Sequence, residues 1–461
     1  MCYSSLCLSS APAWDPVPQA RAGLFLIKGV AMQATKTLDV IIIGGGIGGV
    51  ISLYYAKRAG VKALVLEKEA AVGGLWRQLP AWQDIQIAPL DWTLGDLPIA
   101  GADQQSILCN IQAWVDRFDL APFIKLQSPV TKAAATEDGW TIETPTNTYR
   151  SRFLICASGG HNRPFIPPVE RSAADVIEFH SALLKDPGQL TGRDVVVVGG
   201  GASAYDLLDL CFERRARRVM WAHRAVRWMV PTRKPKHQAG GIRELARQQM
   251  SDAGVEALNA SMNLDLKARY DKFGLNDILP DHAFDIRRDQ LIPGRACMIS
   301  HFSQIDRRRA EVLSVQGRTV TLSSHDTVEA DVILWGTGYE MDLRFLDSPV
   351  LAGIRHVNQL ARRCGALFHS LDMPRLFFLA VILETTGSAP WAYAHAARTI
   401  AGHIRSAATL DEAPLKYKIN HYDLLQFLAP HDPVNYPADS WHRTYQDLAL
   451  SWPDDRPMPV P

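Results

Sequence analysis

Read for its hydrophobic and polar positions, the chain writes one pattern twice. Asp39–Ile43 (DVIII) is an apolar run that meets a glycine cluster, and VISLYYAKRAG (50–60) follows at helical spacing. Asp194–Val198 (DVVVV) starts the second copy, again running into glycines and then a helical stretch. Strands apolar on every position predict a parallel sheet covered by helices on both faces. Gly60 predicts the end of the first helix. A second strand closes each copy: VKALVLEKE, with Glu67 at its end, and RVMWAHRAVRW, with His223 and Arg224.

Strand, glycine turn, helix and strand in that order predict an α/β fold with two Rossmann-like dinucleotide-binding domains. Gly44, Gly46 and Gly49 fit G-x-G-x-x-G, and Gly48 lies within the same turn. Glu67, 23 residues after Gly44, stands where an acid meets a ribose hydroxyl, with Lys68 beside it. Gly199, Gly201 and Ala204 fit the G-x-G-x-x-A variant and bring Ala202 and Ser203 to the helix start. Here the strand ends in His223 and Arg224 instead of an acid. An acid would repel a 2′-phosphate, whereas a guanidinium grips one through paired hydrogen bonds. The first site is therefore expected to take an unphosphorylated ribose, as in FAD, and the second NADPH; Arg227 is a weaker alternative to Arg224.

Two further strands run into small-residue turns: SRFLIC into Ala157, Ser158 and Gly159, and EADVILW into Gly336, Thr337 and Gly338. They bracket the second copy, which predicts an NADPH domain at 166–329 inserted in an FAD domain made of 37–165 and 330–461. Residues 1–36 lack either period and read as a disordered extension with no secretory signal, and Met32 as an alternative start. KPKHQAGGIRELARQQMSDAG and its surroundings, between Pro231 and Leu291, read as an excursion that either caps the cleft or lies on the surface. Gly240–Gly241 is its candidate hinge, and the C-terminal 40 residues are expected to wrap the outside or an oligomer partner.

Composition narrows the picture further. Of 461 residues 47% are apolar and 21% charged, enough for two cores, and a net charge of +1 gives no reason for nucleic acid or an anionic membrane as partner. FFLAVIL is far too short to span a bilayer. Seven cysteines without CxxC point to a reducing, cytoplasmic setting and away from dithiol chemistry or a metal site. Arg307–Arg309 read as a solvated face.

GGGIGG with Glu67, VGGLW (72–76), GGGASAYD and WGTGY (335–339) resemble the flavin-containing monooxygenase family over residues 38–400. The resemblance implies FAD held additionally by Gly74, Leu75, Trp76, Val130, Ala157, Ser158 and Gly159, and NADPH also by Gly336, Thr337 and Gly338. It implies hydride transfer from NADPH to FAD, then a flavin hydroperoxide that oxygenates a small heteroatom-containing or aromatic substrate with dioxygen. HSALLKDP (180–187) matches half of the family fingerprint and makes His180 a catalytic candidate, though a structural histidine is the stronger reading. Ala88 stands where the family places Asn or Asp near the flavin, and Asp91 or Gln86 could substitute in a shifted register. Ser388, ahead of a predicted helix with Pro390 in its first turn, reads equally as an N-cap and as a flavin contact. The Baeyer–Villiger signature is not recognisable. Ala88 and the half-matched fingerprint leave an NADPH-dependent flavin reductase or oxidase without oxygen insertion as the alternative.

Overall fold

The computed structural model describes residues 37–436 apart from 86–88, 98, 174, 233–251, 382, 385–388, 416–417 and 421–422. The 1–36 extension, the Gly240–Gly241 hinge and residues 437–461 therefore lie outside the described residues.

The first sheet uses strands β1 (Leu38–Ile43), β2 (Ala63–Leu66), β3 (Ile124–Lys125), β4 (Lys132–Thr136), β5 (Gly139–Glu143) and β6 (Thr148–Cys156). The second uses β7 (Ile177–His180), β8 (Asp194–Val198), β9 (Arg218–Ala222), β10 (Ile305–Arg308) and β11 (Val332–Trp335). The chain then returns to the first sheet as β12 (Leu376–Phe378). Order in the first sheet is β3-β2-β1-β6-β5-β4. β6 forks: its start pairs antiparallel with β5, and its last three residues pair parallel with β12. The second sheet, β10-β9-β8-β11-β7, is parallel throughout.

One strand lies elsewhere than the sequence border implied. Val332–Trp335, expected beyond a border at 330, pairs with β8 and β7 and so belongs to the second sheet. Its apolar run suits either sheet, so its own residues could not decide its partner.

Helix α1 (Ile47–Arg58) follows the first glycine turn and stops where Gly60 takes φ +72°, as expected. Helix α2 (Gln104–Arg117) is capped by Asp103, whose carboxylate accepts from the Ser106 N–H at 2.9 Å. Its buried residues Ile107, Ile111, Trp114 and Val115 recur every three or four positions, and Trp114 packs edge-on against Tyr54 of α1 at 4.8 Å. Helix α3 (Ala202–Glu213) opens the second copy, α4 (Asp252–Lys272) belongs to the excursion, and α5 (Ala389–Ser406) covers α1. The segment 423–436 docks on α5. Arg398 donates to Asp432 at 2.8 Å with both side chains buried, and the rings of His395 and Tyr436 are joined by a 2.8 Å hydrogen bond. Among the described residues no helix is long and apolar enough to cross a membrane.

Candidate functional site

The carboxyl ends of both sheets open into one cleft of about 2100 Å³. An ordinary small-molecule pocket occupies about 300–1,000 Å³. This cleft therefore has room for two large ligands side by side, at the place where open α/β sheets bind them.

Its first half is built on β1. Gly44 has φ +106°, and a β-carbon there would lie 2.6 Å from the Ala157 carbonyl oxygen, so this turn admits glycine alone. Gly49 does not reach the cleft: a β-carbon on it would strike the Gly44 carbonyl, so it sets helix-to-strand packing. The N-cap Gly46 supplies no side-chain cap, so among the described residues the first amides of α1 have no side-chain acceptor at the cleft edge. Glu67 sits at the end of β2, its carboxylate fixed by N–H groups of Gly45 and Glu69, the latter at 2.8 Å. Gly44, Gly46, Gly48, Glu67, Lys68, Gly74, Leu75, Trp76, Ala157, Ser158 and Gly159 all line the cleft, and Val130 joins them from the loop between β3 and β4.

Its second half repeats the plan. Gly199 has φ +130°, and a β-carbon on it would meet the Gly336 carbonyl at 2.3 Å. Gly201 caps α3 without a side chain. Gly199, Gly201, Ala202, Ser203, His223, Arg224, Gly336, Thr337 and Gly338 line this half. Burial, with the Arg309 charge nearby, holds His223 below the usual imidazole range, so it is neutral at pH 7. Its Nδ1 is buried without a hydrogen-bond partner among the described residues. Arg224 is 80% exposed and pairs with Glu311 at 3.3 Å, a carboxylate the sequence reading missed. An exposed pair of this kind contributes only about 0–1 kcal/mol, so an arriving phosphate can displace Glu311 at little cost.

Both halves fit dinucleotides: each offers a glycine turn that a side chain would obstruct, an uncapped helix start able to receive a pyrophosphate, and a polar side chain at ribose distance in sequence.

His180 is placed differently from the catalytic expectation. It is fully buried and does not line the cleft. Nδ1 accepts from the Ala182 N–H at 3.2 Å, which leaves Nε2–H to donate to the Gly338 carbonyl at 2.8 Å. The ring thus holds the Gly336–Gly338 turn. Gln86, Ala88 and Ser388 lie outside the described residues, as does the side chain of Asp91.

The two crossing chains meet beside that turn. Arg163–Pro164 pairs antiparallel with Tyr339–Glu340, and Arg163 forms an ion pair with Glu340. Tyr339 faces the cleft between the rings of His161 and His180, at 5.4 and 5.1 Å. Arg307, Arg308 and Arg309 are each paired with aspartates, and Arg309 also donates to the Arg224 carbonyl at 3.2 Å. The excursion supplies wall: Met262, Phe284 and Ile286 line the cleft. So does Ala380, delivered by β12; a β-carbon on Gly48 would touch it at 2.5 Å. The described cysteines are all free thiols.

Residues 41–267 match the family described as pyridine nucleotide-disulphide oxidoreductase. The sequence carries no CxxC motif. An uncharacterised oxidoreductase of Bacillus velezensis is 28% identical over 183 residues, 38% of this chain and 52% of that protein. A Baeyer–Villiger monooxygenase of Streptomyces coelicolor is 24% identical over 355 residues, 67% of this chain and 66% of that protein. The chain thus spans about half to two thirds of the length of these relatives. A crystal structure of OTEMO in complex with FAD and NADP has the same fold, with a TM-score of 0.61 and 17% identity over 80% of this chain and 85% of that one.

Proposed function

We propose that this chain, a relative of the flavin-dependent monooxygenases, binds FAD on its first dinucleotide fold and NADPH on its second. It would oxygenate a small heteroatom-containing or aromatic molecule with dioxygen. The observation that carries the reading is the single cleft shared by two complete nucleotide cradles. Bound FAD would supply the redox and oxygen-transfer chemistry, with NADPH as the reductant. The protein's own residues have positioning tasks. The loops at Gly44–Gly49 and Gly199–Ser203 hold the pyrophosphates, Glu67 and His223 meet the riboses, and Tyr339 closes the seam between the halves. The apolar wall of Met262, Phe284 and Ile286 keeps water from the reacting groups.

Purified protein tests this directly. Under anaerobic conditions NADPH should bleach the bound flavin, and aerobic turnover in ¹⁸O₂ with a panel of amines, sulfides and aromatics should place label in a product. Consumption of NADPH that yields only hydrogen peroxide with every substrate would leave the reductase or oxidase reading instead.

A narrower expectation concerns the phosphate on the second ribose. Arg224→Ala should raise the KM for NADPH about tenfold or more, the worth of a charge-assisted hydrogen bond. The KM for NADH should stay within about twofold. Equal effects on both cofactors would show that Arg224 does not read the phosphate.

A further inference from the structure

The second strand of the second fold ends in His223 and Arg224, without the acid that Glu67 supplies at the same place in the first. An acid nevertheless stands beside that position. Strands β9 and β10 are parallel neighbours with Ala222 opposite Arg308, so the two chains leave the sheet side by side. Their exits are joined: the His223 N–H donates to the Arg308 carbonyl at 3.0 Å, and Arg309 Nε donates to the Arg224 carbonyl at 3.2 Å. Just beyond Arg309, the exit of β10 delivers Glu311.

Glu311 is fixed through its backbone. Its N–H donates to Ser323 Oγ at 3.0 Å, and its carbonyl accepts from the Ser323 N–H at 2.8 Å. The side chain is 51% exposed and lines the cleft, and its carboxylate has the Arg224 guanidinium, at 3.3 Å, as its one partner among the described residues. An ionised carboxylate has two oxygens that accept hydrogen bonds, so this one keeps capacity for a ligand. A ribose that brings its 2′ position to Arg224 brings it to Glu311 as well. The two opposite charges then favour opposite substituents. A carboxylate accepts from the hydroxyls of an unphosphorylated ribose and repels a 2′-phosphate, whereas a guanidinium grips the phosphate.

We propose that Glu311 determines cofactor specificity in the second cradle: it accepts hydrogen bonds from the ribose hydroxyls of NADH, so that this site takes NADH as well as NADPH. The inference rests on the proposed function in taking the second fold as a nicotinamide dinucleotide site. With NADH the Arg224–Glu311 pair stays closed, and the remaining acceptor capacity of Glu311 serves the ribose. With NADPH the pair opens and Arg224 turns to the phosphate. Glu311 therefore favours one cofactor and hinders the other, and the acid missing from the end of β9 is supplied by the strand next to it.

The test uses the purified, flavin-bound chain as wild type, Glu311→Ala and Glu311→Gln, each titrated calorimetrically with NAD⁺ and NADP⁺. Retained flavin and an unchanged melting profile certify folding. Wild type should bind both nucleotides. Glu311→Ala should weaken NAD⁺ about tenfold, the worth of hydrogen bonds to a charged acceptor, and tighten NADP⁺ by up to about fivefold, because an exposed ion pair no longer has to open. Glu311→Gln keeps an acceptor without the charge, so its loss for NAD⁺ should be smaller and its gain for NADP⁺ similar. The affinity ratio in Glu311→Ala thus swings toward NADP⁺ by about tenfold or more. A smaller swing, or wild type that binds NADP⁺ alone, overturns the inference and leaves the functional reading standing. Wild type that binds neither nucleotide refutes both.

Discussion

Gly44→Val should give a protein that emerges colourless and does not take up FAD, whereas wild type carries it. The reason is steric at two levels. Gly44 has φ +106°, a conformation that a β-branched residue adopts only under strain. Even a β-carbon would sit 2.6 Å from the Ala157 carbonyl oxygen and 3.0 Å from its carbonyl carbon, both rigid backbone. To make room, β1 and β6 must part at Ile43 and Cys156, their last paired residues. That displaces the start of α1 and the Ala157–Gly159 turn together, the two surfaces between which a pyrophosphate would lie. Gly60→Ala is the control. Gly60 shares the positive φ, at +72°, but a β-carbon there meets nothing within 4 Å. It should cost only about 1–2 kcal/mol of backbone strain and leave the flavin bound. Absorbance at the flavin band after gel filtration with added FAD reads both. A yellow Gly44→Val protein would remove the steric account of this turn.

Those two glycines also mark how far the sequence could be read. Everything within one strand–turn–helix–strand unit was legible, because contiguous residues build it. The cradle from Gly44 to Glu67 and its counterpart from Gly199 to Arg224 are such units. What pairs across hundreds of residues was not. Ala380 meets Gly48 only because β12 adds to β6, and Leu376–Phe378 carries no mark of that choice. Val332–Trp335 reads as a buried strand, but only its register against Val195–Val198 and Ile177–His180 assigns it to the second sheet. His180 showed a different limit. Its residue type permits ligand contact or a buried hydrogen-bonded role, and the Gly338 carbonyl that settles the matter lies 158 residues away. Glu311 escaped notice for the same reason.

The second large effect is expected at Arg295, which stands outside both fingerprints. Its Nε donates to the Asp206 carboxylate at 2.7 Å, with side chains only 2% and 8% exposed. Asp206 lines the cleft on α3, and the Met298 N–H donates to Asp209 one turn further along at 2.7 Å. Together these contacts latch the segment after Arg295 onto the helix that opens the second cradle. Arg295→Met should therefore cost about 3–5 kcal/mol, because it takes the guanidinium away from a buried carboxylate, and it should weaken NADP⁺ binding as α3 loosens. Adding Asp206→Leu should recover most of the stability, since replacing both partners with apolar groups is often neutral. The pH dependence has a definite sign. Burial already raises Asp206 above the usual carboxylate range, and Arg295 is what pulls it down. Without the guanidinium, the folded state holds this proton more tightly than the unfolded one. The stability of Arg295→Met then falls as pH rises from the ordinary aspartate value near about 4 toward the raised folded one. The deficit should be smaller at pH 5 than at pH 8. Melting midpoints at the two pH values, with hydrogen exchange across 202–213, measure it. A deficit equal at both values, or a double variant no more stable than Arg295→Met, would show that the ion pair is not what fastens α3.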